Sequence, residues 1–118
     1  MALVDVDMAR LRELSPPEGP VVMLNLYRFK TPEDHERFKG AMSTLIGPEM
    51  DKLGVEIVYS GSVMGEFVAD EKWDVIALVR YPNFQVFIDL FADGAMGDEV
   101  EELRRSALME SRFMVTAA

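Results

Sequence analysis

The chain has 118 residues, of which 49% are hydrophobic and 28% charged, a balance typical of one soluble globular domain with a single core. Its formal net charge of −9 disfavours nucleic acids and anionic membrane surfaces as partners, and no apolar stretch reaches the roughly 20 residues that span a bilayer. The absence of cysteine excludes disulfides, thiolate metal sites and a cysteine nucleophile, and a single histidine, His35, excludes two-histidine zinc motifs.

The N-terminal segment is predicted to lie outside the main domain. Apolar residues at helical spacing predict a short helix over residues 5–14. The stretch "SPPEGP" (15–20) then interrupts the chain, because three prolines and a glycine suit neither a helix nor a central strand. We therefore divide the chain into an N-terminal helix with a Pro-rich linker (1–20) and a compact domain (21–118). The N-terminus lacks the basic and then apolar run of a signal peptide, so we expect a cytoplasmic protein.

The apolar run "VVMLNLYRF" (21–29) predicts the first strand of the domain. A helix should follow, with Thr31 as its N-cap and acidic residues in its first turn. Gly54 should end this helix, since glycine is the residue best suited to a left-handed C-cap. We expect the pair Gly47-Pro48 to kink or split the helix, because proline cannot donate a hydrogen bond to the preceding turn.

The rest of the chain predicts three more strands and two more helices. A second strand over residues 55–68 has Gly61 or Gly65 as a candidate bulge, and "ADEK" turns into a third strand over residues 73–81. The remaining elements are a helix capped by Asn83, a loop at "ADGAMG", a helix over about residues 98–109 and a last strand at "SRFMVTA". This order is that of a ferredoxin-like α+β domain, βαββαβ, in which the helices cover one face of an antiparallel sheet.

Both central strands are apolar on both faces, although this topology covers only one face with its own helices. An exposed second face would be unusual for a monomer, and burying about 500 Å² of it would contribute on the order of 12 kcal/mol before association costs. The simplest cover is the same face of an identical chain, so the sequence predicts a homodimer. We interpret Val22, Leu24 and Leu26 as the helix-facing residues of the first strand. Asn25 and Tyr27 would then point into the space between the helix-free faces.

Three segments, "VVMLNLYRFK", "WDVIALVRYPNFQVFIDLF" and "RRSALMESRFM", resemble the DUF1330 family, and the resemblance covers about residues 21–116. Asn83 stands where this family usually has serine, and "ADGAMGDEV" replaces its Asp-Pro-x-Tyr turn, so any role of that tyrosine is missing here. The resemblance implies a dimeric α/β barrel. It leaves the activity open, because the family is itself of unknown function and the wider barrel group includes cofactor-free monooxygenases, small-molecule isomerases, haem-degrading enzymes and ligand sensors.

The first candidate site residue is Asn25, a carboxamide in a strand position where an aliphatic side chain is expected. A buried carboxamide without partners costs roughly 1–3 kcal/mol, so Asn25 should either form a structural hydrogen bond or contact a ligand or water. Tyr27 and Trp73 lie on adjacent antiparallel strands and could form the aromatic wall of a pocket mouth. The alternative is a plain cross-strand aromatic contact. An exposed ion pair between Arg28 and Asp74 would lie beside it.

Two further candidates are Tyr59 and Arg104. Tyr59 and Ser60 lie on opposite faces of the second strand, so only one of them can line a cavity, and Tyr59 is our candidate. Arg104 could bind a carboxylate through two hydrogen bonds. Its alternative partners are the nearby acids Glu101, Glu102 and Glu110. We expect His35, among acids at a helix start, to be exposed, and nothing around it resembles a metal site.

These observations predict a homodimer that binds a small, largely apolar organic molecule and uses no metal and no cofactor. Cofactor-free oxygenation or isomerisation would depend on the neutral hydrogen-bonding groups of Asn25, Tyr27 and Trp73. The alternative is a non-catalytic dimerisation or ligand-sensing module whose interior polar side chains satisfy one another. A cavity of roughly 300 Å³ or more beside Asn25 favours binding, whereas a sealed interior favours the module.

Overall fold

The computed structural model describes residues 5–14, 18–68, 70–92 and 97–117, which form four strands and the helices that connect or precede them. The elements are α1 (Met8–Arg12), β1 (Val21–Phe29), α2 (Pro32–Leu53), β2 (Glu56–Ser62), β3 (Val75–Tyr81), α3 (Phe84–Phe87) continued by a π-helical segment (Ile88–Ala92), α4 (Gly97–Ala107) and β4 (Leu108–Ala117). The strands pair antiparallel in the order β2-β3-β1-β4, so β1 and β3 are central. The α+β arrangement predicted from the sequence is confirmed. No helix within these ranges is long and apolar enough to cross a membrane.

Capping residues fix the start of helices α2 and α3 and the end of α2. Thr31 Oγ1 accepts a hydrogen bond from the Asp34 N–H at 3.0 Å, and Asn83 Oδ1 accepts one from the Val86 N–H at 3.0 Å. Each satisfies a backbone donor that the first turn of a helix leaves without a partner. Gly54 ends α2 in the left-handed conformation, with φ 73°. All three caps agree with the sequence prediction.

Helix α2 is continuous where the sequence predicts a break. Pro48 lies inside the helix, which runs on to Leu53, so the predicted split is wrong. An interior proline removes one backbone hydrogen bond and crowds the carbonyl four residues earlier, a cost that favourable packing can offset. Ile46 is buried and Met50 packs against the same core cluster, so the turns on both sides of Pro48 are held by apolar contacts.

The second strand is shorter than predicted. β2 ends at Ser62, not at Val68, and its pairing with β3 shifts register at Val58 and not at either predicted glycine. Because β2 is an edge strand, paired on one side only, it tolerates such an extra residue without disturbing the rest of the sheet. The predicted loop at "ADGAMG" falls mostly in residues 93–96, outside the described residues.

Alternate residues of β1 define a helix-covered inner face of the sheet. Val21 and Met23 are 0% and 1% exposed and belong to a core cluster with Ile46 of α2 and Val100 of α4. Asn25 follows on the same face of β1 and is also buried. The core therefore lies between the inner face and the helices, and the carboxamide belongs to this layer.

The opposite, outer face of the sheet carries Val22, Leu24 and Leu26. Our interpretation that these residues pack on the helices is wrong, because the odd-numbered positions of β1 do so. Both faces of this strand are apolar, and alternation alone cannot say which one a helix covers. On the outer face Leu24 pairs with Leu78, and Met114 on the flanking strand is 46% exposed. A largely apolar face thus remains half-exposed in the single chain.

Candidate functional site

A cleft of about 800 Å³ lies between the inner face of the sheet and helices α2 and α4. Asn25 of β1 lies on its floor with its two cross-strand neighbours, Ala77 of β3 and Phe113 of β4. The walls are mainly apolar and include the aromatic side chains Tyr27, Phe29, Phe38, Tyr81, Phe87 and Phe91. Small-molecule sites typically enclose about 300–1,000 Å³ and are lined by apolar and aromatic groups with a few polar ones. The cleft has the size and lining of such a site.

Asn25 is the polar group at the floor of this cleft. It is 6% exposed, and its cross-strand neighbours, Ala77 and Phe113, offer no side-chain hydrogen-bonding group. Among the side-chain hydrogen bonds formed within the described ranges, none involves the Asn25 carboxamide. The amide therefore faces the cleft with its hydrogen-bonding capacity available.

Arg104 brings a positive charge to the same cleft from α4. The residue is 8% exposed, and its Nη2 donates to Ser111 Oγ at 2.7 Å. Its Cζ atom lies 5.8 Å from the centre of the Tyr27 ring, within the range of a cation–π contact. Two of the acids considered as its partners pair with other arginines. These pairs are Glu101 with Arg105 at 2.7 Å and Glu110 with Arg112 at 2.8 Å.

The Tyr27 hydroxyl is held in its neutral form. Burial raises the pKa of Tyr27, while attraction and hydrogen bonding to Arg104 act in the opposite direction and are smaller. The pKa of Tyr81 is also raised, first by burial and second by the nearby Tyr27. At neutral pH Tyr27 is therefore a phenol that can donate a hydrogen bond beside a guanidinium.

These two tyrosines predict a loss of stability in alkali. A phenol whose pKa is raised on folding stays protonated in the folded state, while the unfolded chain ionises from about pH 10 upward. The free energy of unfolding should fall above that pH by up to about 1.4 kcal/mol per pH unit for each of Tyr27 and Tyr81. Urea unfolding at increasing pH measures this slope. The double variant Tyr27→Phe/Tyr81→Phe should flatten it, and an unchanged slope in that variant contradicts the prediction.

His35 lies in the cleft, where the sequence did not place it. Its ring stacks on Phe29, with centroids 4.4 Å apart and planes at 9°, and it lines the cleft half-buried. The expectation that His35 is exposed is therefore wrong. A signal was present, because stepping back three residues from Phe38 along the apolar face of α2 leads to His35.

Tyr59 and Trp73 lie outside the cleft. Tyr59 pairs with Leu78 on the outer face, and Ser60 lines the cleft instead. Trp73 is buried against the Arg112 guanidinium, whose Cζ atom lies 5.1 Å from the centre of the indole ring. The predicted aromatic wall of Tyr27 and Trp73 therefore does not form at this cleft. Asn25, Tyr27 and Arg104 do line it together.

The ion pair expected between Arg28 and Asp74 is replaced by other contacts. Asp74 Oδ2 accepts a hydrogen bond from the Phe29 backbone N–H at 2.8 Å. Arg28 pairs with Glu110 across the β1–β4 register, at 3.9 Å between Nη1 and Oε2. Asp74 is thus a structural acceptor that fastens the start of β3 to the end of β1.

The N-terminal segment borders the opening of the cleft. Val6 and Met8 line the cleft, and Leu11 packs against the core cluster. Asp5 Oδ1 accepts a hydrogen bond from Arg105 Nε at 3.0 Å, which ties the segment to α4. The segment is therefore part of the wall of the cleft.

Comparison with known proteins identifies the fold. No model of a known protein family and no curated protein matches the chain. A protein of unknown function from Rhodopseudomonas palustris is 25% identical, with a TM-score of 0.80 over 100% of this chain and 98% of that one. A DABB-family protein with a ferredoxin-like fold from Mesorhizobium loti is 7% identical, with a TM-score of 0.68 over 86% and 98% of the two chains. The fold is ferredoxin-like.

A third solved structure is described as dimeric. It is a dimeric ferredoxin-like protein of unknown function from Thermobifida fusca, 17% identical, with a TM-score of 0.58 over 89% of this chain and 96% of that one. At such identities the likeness extends to the fold alone. Membership of the DUF1330 family stays a prediction.

Proposed function

We propose that the protein binds a small organic molecule with a largely apolar body in the cleft between the sheet and helices α2 and α4. The observation that carries the proposal is Asn25, a carboxamide 6% exposed that faces a cleft of about 800 Å³. An amide kept from its hydrogen bonds costs roughly 1–3 kcal/mol, which a ligand group in the cleft would offset. The aromatic walls would contact the apolar body of the ligand.

Binding is better supported than turnover. Oxygenation or isomerisation without a cofactor was expected to depend on Asn25, Tyr27 and Trp73, and Trp73 does not line the cleft. A monooxygenase or isomerase would also need a group that takes up a proton, for which His35 is available in the cleft. A ligand sensor needs the cleft alone. We therefore propose ligand binding as the function and treat a reaction as an addition to it.

Asn25→Leu tests the proposal. It should remove an amide that the protein itself does not satisfy, and so raise the free energy of unfolding by about 1 kcal/mol while weakening ligand binding at least about tenfold. Urea unfolding measures the first effect. Native mass spectrometry of freshly purified protein measures the second, as loss of a bound small-molecule mass in the variant.

Asn83→Leu is a matched control, because it makes the same chemical change at a helix cap. Loss of the hydrogen bond to the Val86 N–H should destabilise the protein by about 1 kcal/mol and leave the bound mass unchanged. Destabilisation by Asn25→Leu would mean that the carboxamide is bonded within the folded protein. Equal retention of the bound mass in wild type and Asn25→Leu would place the ligand elsewhere.

The outer face favours a homodimer as well. We propose that two copies cover each other's helix-free faces and so form a dimeric α/β barrel. The support is the largely apolar, half-exposed surface around Leu24 and Leu78, which an identical surface can bury through a two-fold interface. The dimer is a separate proposal from ligand binding, since the cleft lies on the other side of the sheet.

A further inference from the structure

We infer that the ligand of the cleft is a secondary amide, an N-acylated amine whose amide group lies over Ala77 with one apolar group on either side. This inference rests on the proposed function and names the chemical class of the ligand. It depends on a division of the apolar core at Asn25 and on a pair of polar side chains across the floor of the cleft.

The apolar core is divided at the level of Asn25. Its buried side chains within the described ranges form two clusters, a first that includes Met23, Tyr81 and Phe87 and a second that includes Phe29, Phe38 and Leu108. On β3, Val79 packs against the first cluster and Val75 against the second, and Ala77 between them belongs to neither. Met42 of α2 packs against both clusters. The cleft therefore has an apolar cluster at each end, with Asn25 and Ala77 on its floor between them.

This division sets the length and direction of the ligand. Val75 and Val79 both line the cleft and are four residues apart, which corresponds to about 13 Å along β3. Aromatic side chains line both ends of the cleft, Phe29 and Phe38 at one end and Tyr81 and Phe87 at the other. A ligand that contacts both clusters lies along the strands, with an apolar group at each end and its middle over Ala77.

Two polar side chains flank the middle of such a ligand, at right angles to its length. Asn25 of β1 and Ser60 of β2 both pair with Ala77 of β3, one from each side, and all three residues line the cleft. Neighbouring strands lie about 4.8 Å apart, so the Cα atoms of Asn25 and Ser60 are about 10 Å apart. Asn25 is buried and Ser60 is exposed on the edge strand. Both side chains are neutral, and each can donate and accept a hydrogen bond.

A secondary amide fits between these two side chains. In an extended trans amide the C=O and N–H groups point to opposite sides of the chain, at right angles to it. With the ligand along the strands, one of these groups points to Asn25 and the other to Ser60. An amide with a hydrogen bond of about 2.9 Å on each side spans about 8 Å between its two partners, which side chains leaning over Ala77 can reach. An ester or a ketone lacks the N–H and would form only one of the two hydrogen bonds.

A single amide suits the cleft better than a peptide. A peptide would bring a further N–H and C=O into the cleft with every residue, about 3.3 Å along the strand direction. The neighbours of Ala77 on this face of β3 are Val75 and Val79, whose side chains offer no hydrogen-bonding group. Amide groups that lose water without gaining a partner weaken binding. The ligand is therefore an N-acylated amine with apolar substituents, and not a peptide segment.

The experiment compares N-benzylbutanamide with two matched compounds by isothermal calorimetry on the full chain. Benzyl butanoate replaces the N–H by an ester oxygen, and phenylpentanamide is an isomer that carries its amide at the end of the chain. We expect the wild-type protein to bind N-benzylbutanamide at least about fivefold more tightly than either compound. Asn25→Leu should weaken its binding at least about tenfold and Ser60→Ala about threefold. Ser62→Ala, the same change opposite Val75 on the same face, should leave the affinity unchanged.

Each outcome has a separate meaning. Equal binding of benzyl butanoate overturns the secondary amide, equal binding of phenylpentanamide overturns its central position, and both results leave the proposed function standing. Equal affinities of the Ser60→Ala and Ser62→Ala variants for N-benzylbutanamide contradict its placement over Ala77. Tighter binding of a blocked dipeptide, N-acetyl-leucyl-phenylalaninamide, would assign the cleft to peptides instead. If none of these compounds binds at millimolar concentration the inference is overturned, and the proposed function falls with it only if freshly purified protein also carries no small-molecule mass.

Discussion

Leu24→Lys should convert the proposed dimer into a monomer. Leu24 is a central residue of the outer face, opposite Leu78 of β3. In a two-fold interface the substitution enters twice, and each buried ammonium would lose its hydration without gaining an opposite charge. We expect the dimer Kd to rise at least about 100-fold, which corresponds to about 3 kcal/mol. Sedimentation equilibrium at micromolar concentration measures the change.

Leu53→Lys is the control for this experiment. Leu53 is 38% exposed at the end of α2, on the helix side of the sheet, and its replacement should leave the dimer intact. Leu24 is already half-exposed in the single chain, so the Leu24→Lys monomer should keep a native circular dichroism spectrum. A wild-type chain that sediments as a single copy would rule out the dimer.

Strand bounds and helix caps that depend on residues close in sequence could be predicted accurately. The bounds of β1 agree with the prediction, and so do the caps at Thr31, Gly54 and Asn83. Each cap depends on a contact or a backbone conformation within a few residues, which the local sequence encodes. The order of strands and helices followed from these local signals, and the ferredoxin-like fold followed from the order.

The face of β1 that packs on the helices could not be predicted in this way. Val22, Leu24 and Leu26 are as apolar as the inner-face residues, so the strand itself gives no preference. The choice depends on the side of the sheet that α2 crosses, which is a property of the whole connection. Asn25 therefore faces a cleft inside one chain, and not the space between two chains.

A shift of one residue explains the wrong placement of Tyr59. The bulge at Val58 moves every later residue of β2 to the opposite face, which places Tyr59 on the outer face and Ser60 in the cleft. The bulge falls at a valine and not at Gly61, the glycine of this strand, so glycine was a misleading signal for its position. His35 was missed for a different reason, because its acidic neighbours suggested an exposed turn.

The corrected orientation separates the two proposals physically. The cleft uses the inner face around Asn25, and the proposed dimer uses the outer face around Leu24. A monomer made by Leu24→Lys should therefore still bind a ligand in its cleft. Loss of binding on dissociation would mean instead that the partner chain completes the site.

Ala77→Phe should block the cleft directly. Ala77 pairs with Asn25 across the sheet and lies on the cleft floor, so a phenyl ring there would occupy the space that the ligand needs beside the carboxamide. We expect an affinity loss of at least about 100-fold for any ligand of the cleft, whatever its charge. The free energy of unfolding should change by less than about 1.5 kcal/mol, because the ring enters open space and not a packed core. Native mass spectrometry of the purified protein, read as loss of the bound small-molecule mass, and urea unfolding measure the two effects.

Ala77→Ser separates blocking from a general effect of substitution at this position. Serine adds one small polar atom and should keep most of the affinity, since it leaves nearly all of the cleft open. Because Ala77 is on the inner face, neither variant should alter the dimer on the outer face. Unchanged binding by Ala77→Phe would mean that the ligand site lies elsewhere on the protein, since a ring beside Asn25 and a ligand on the same floor cannot share that space.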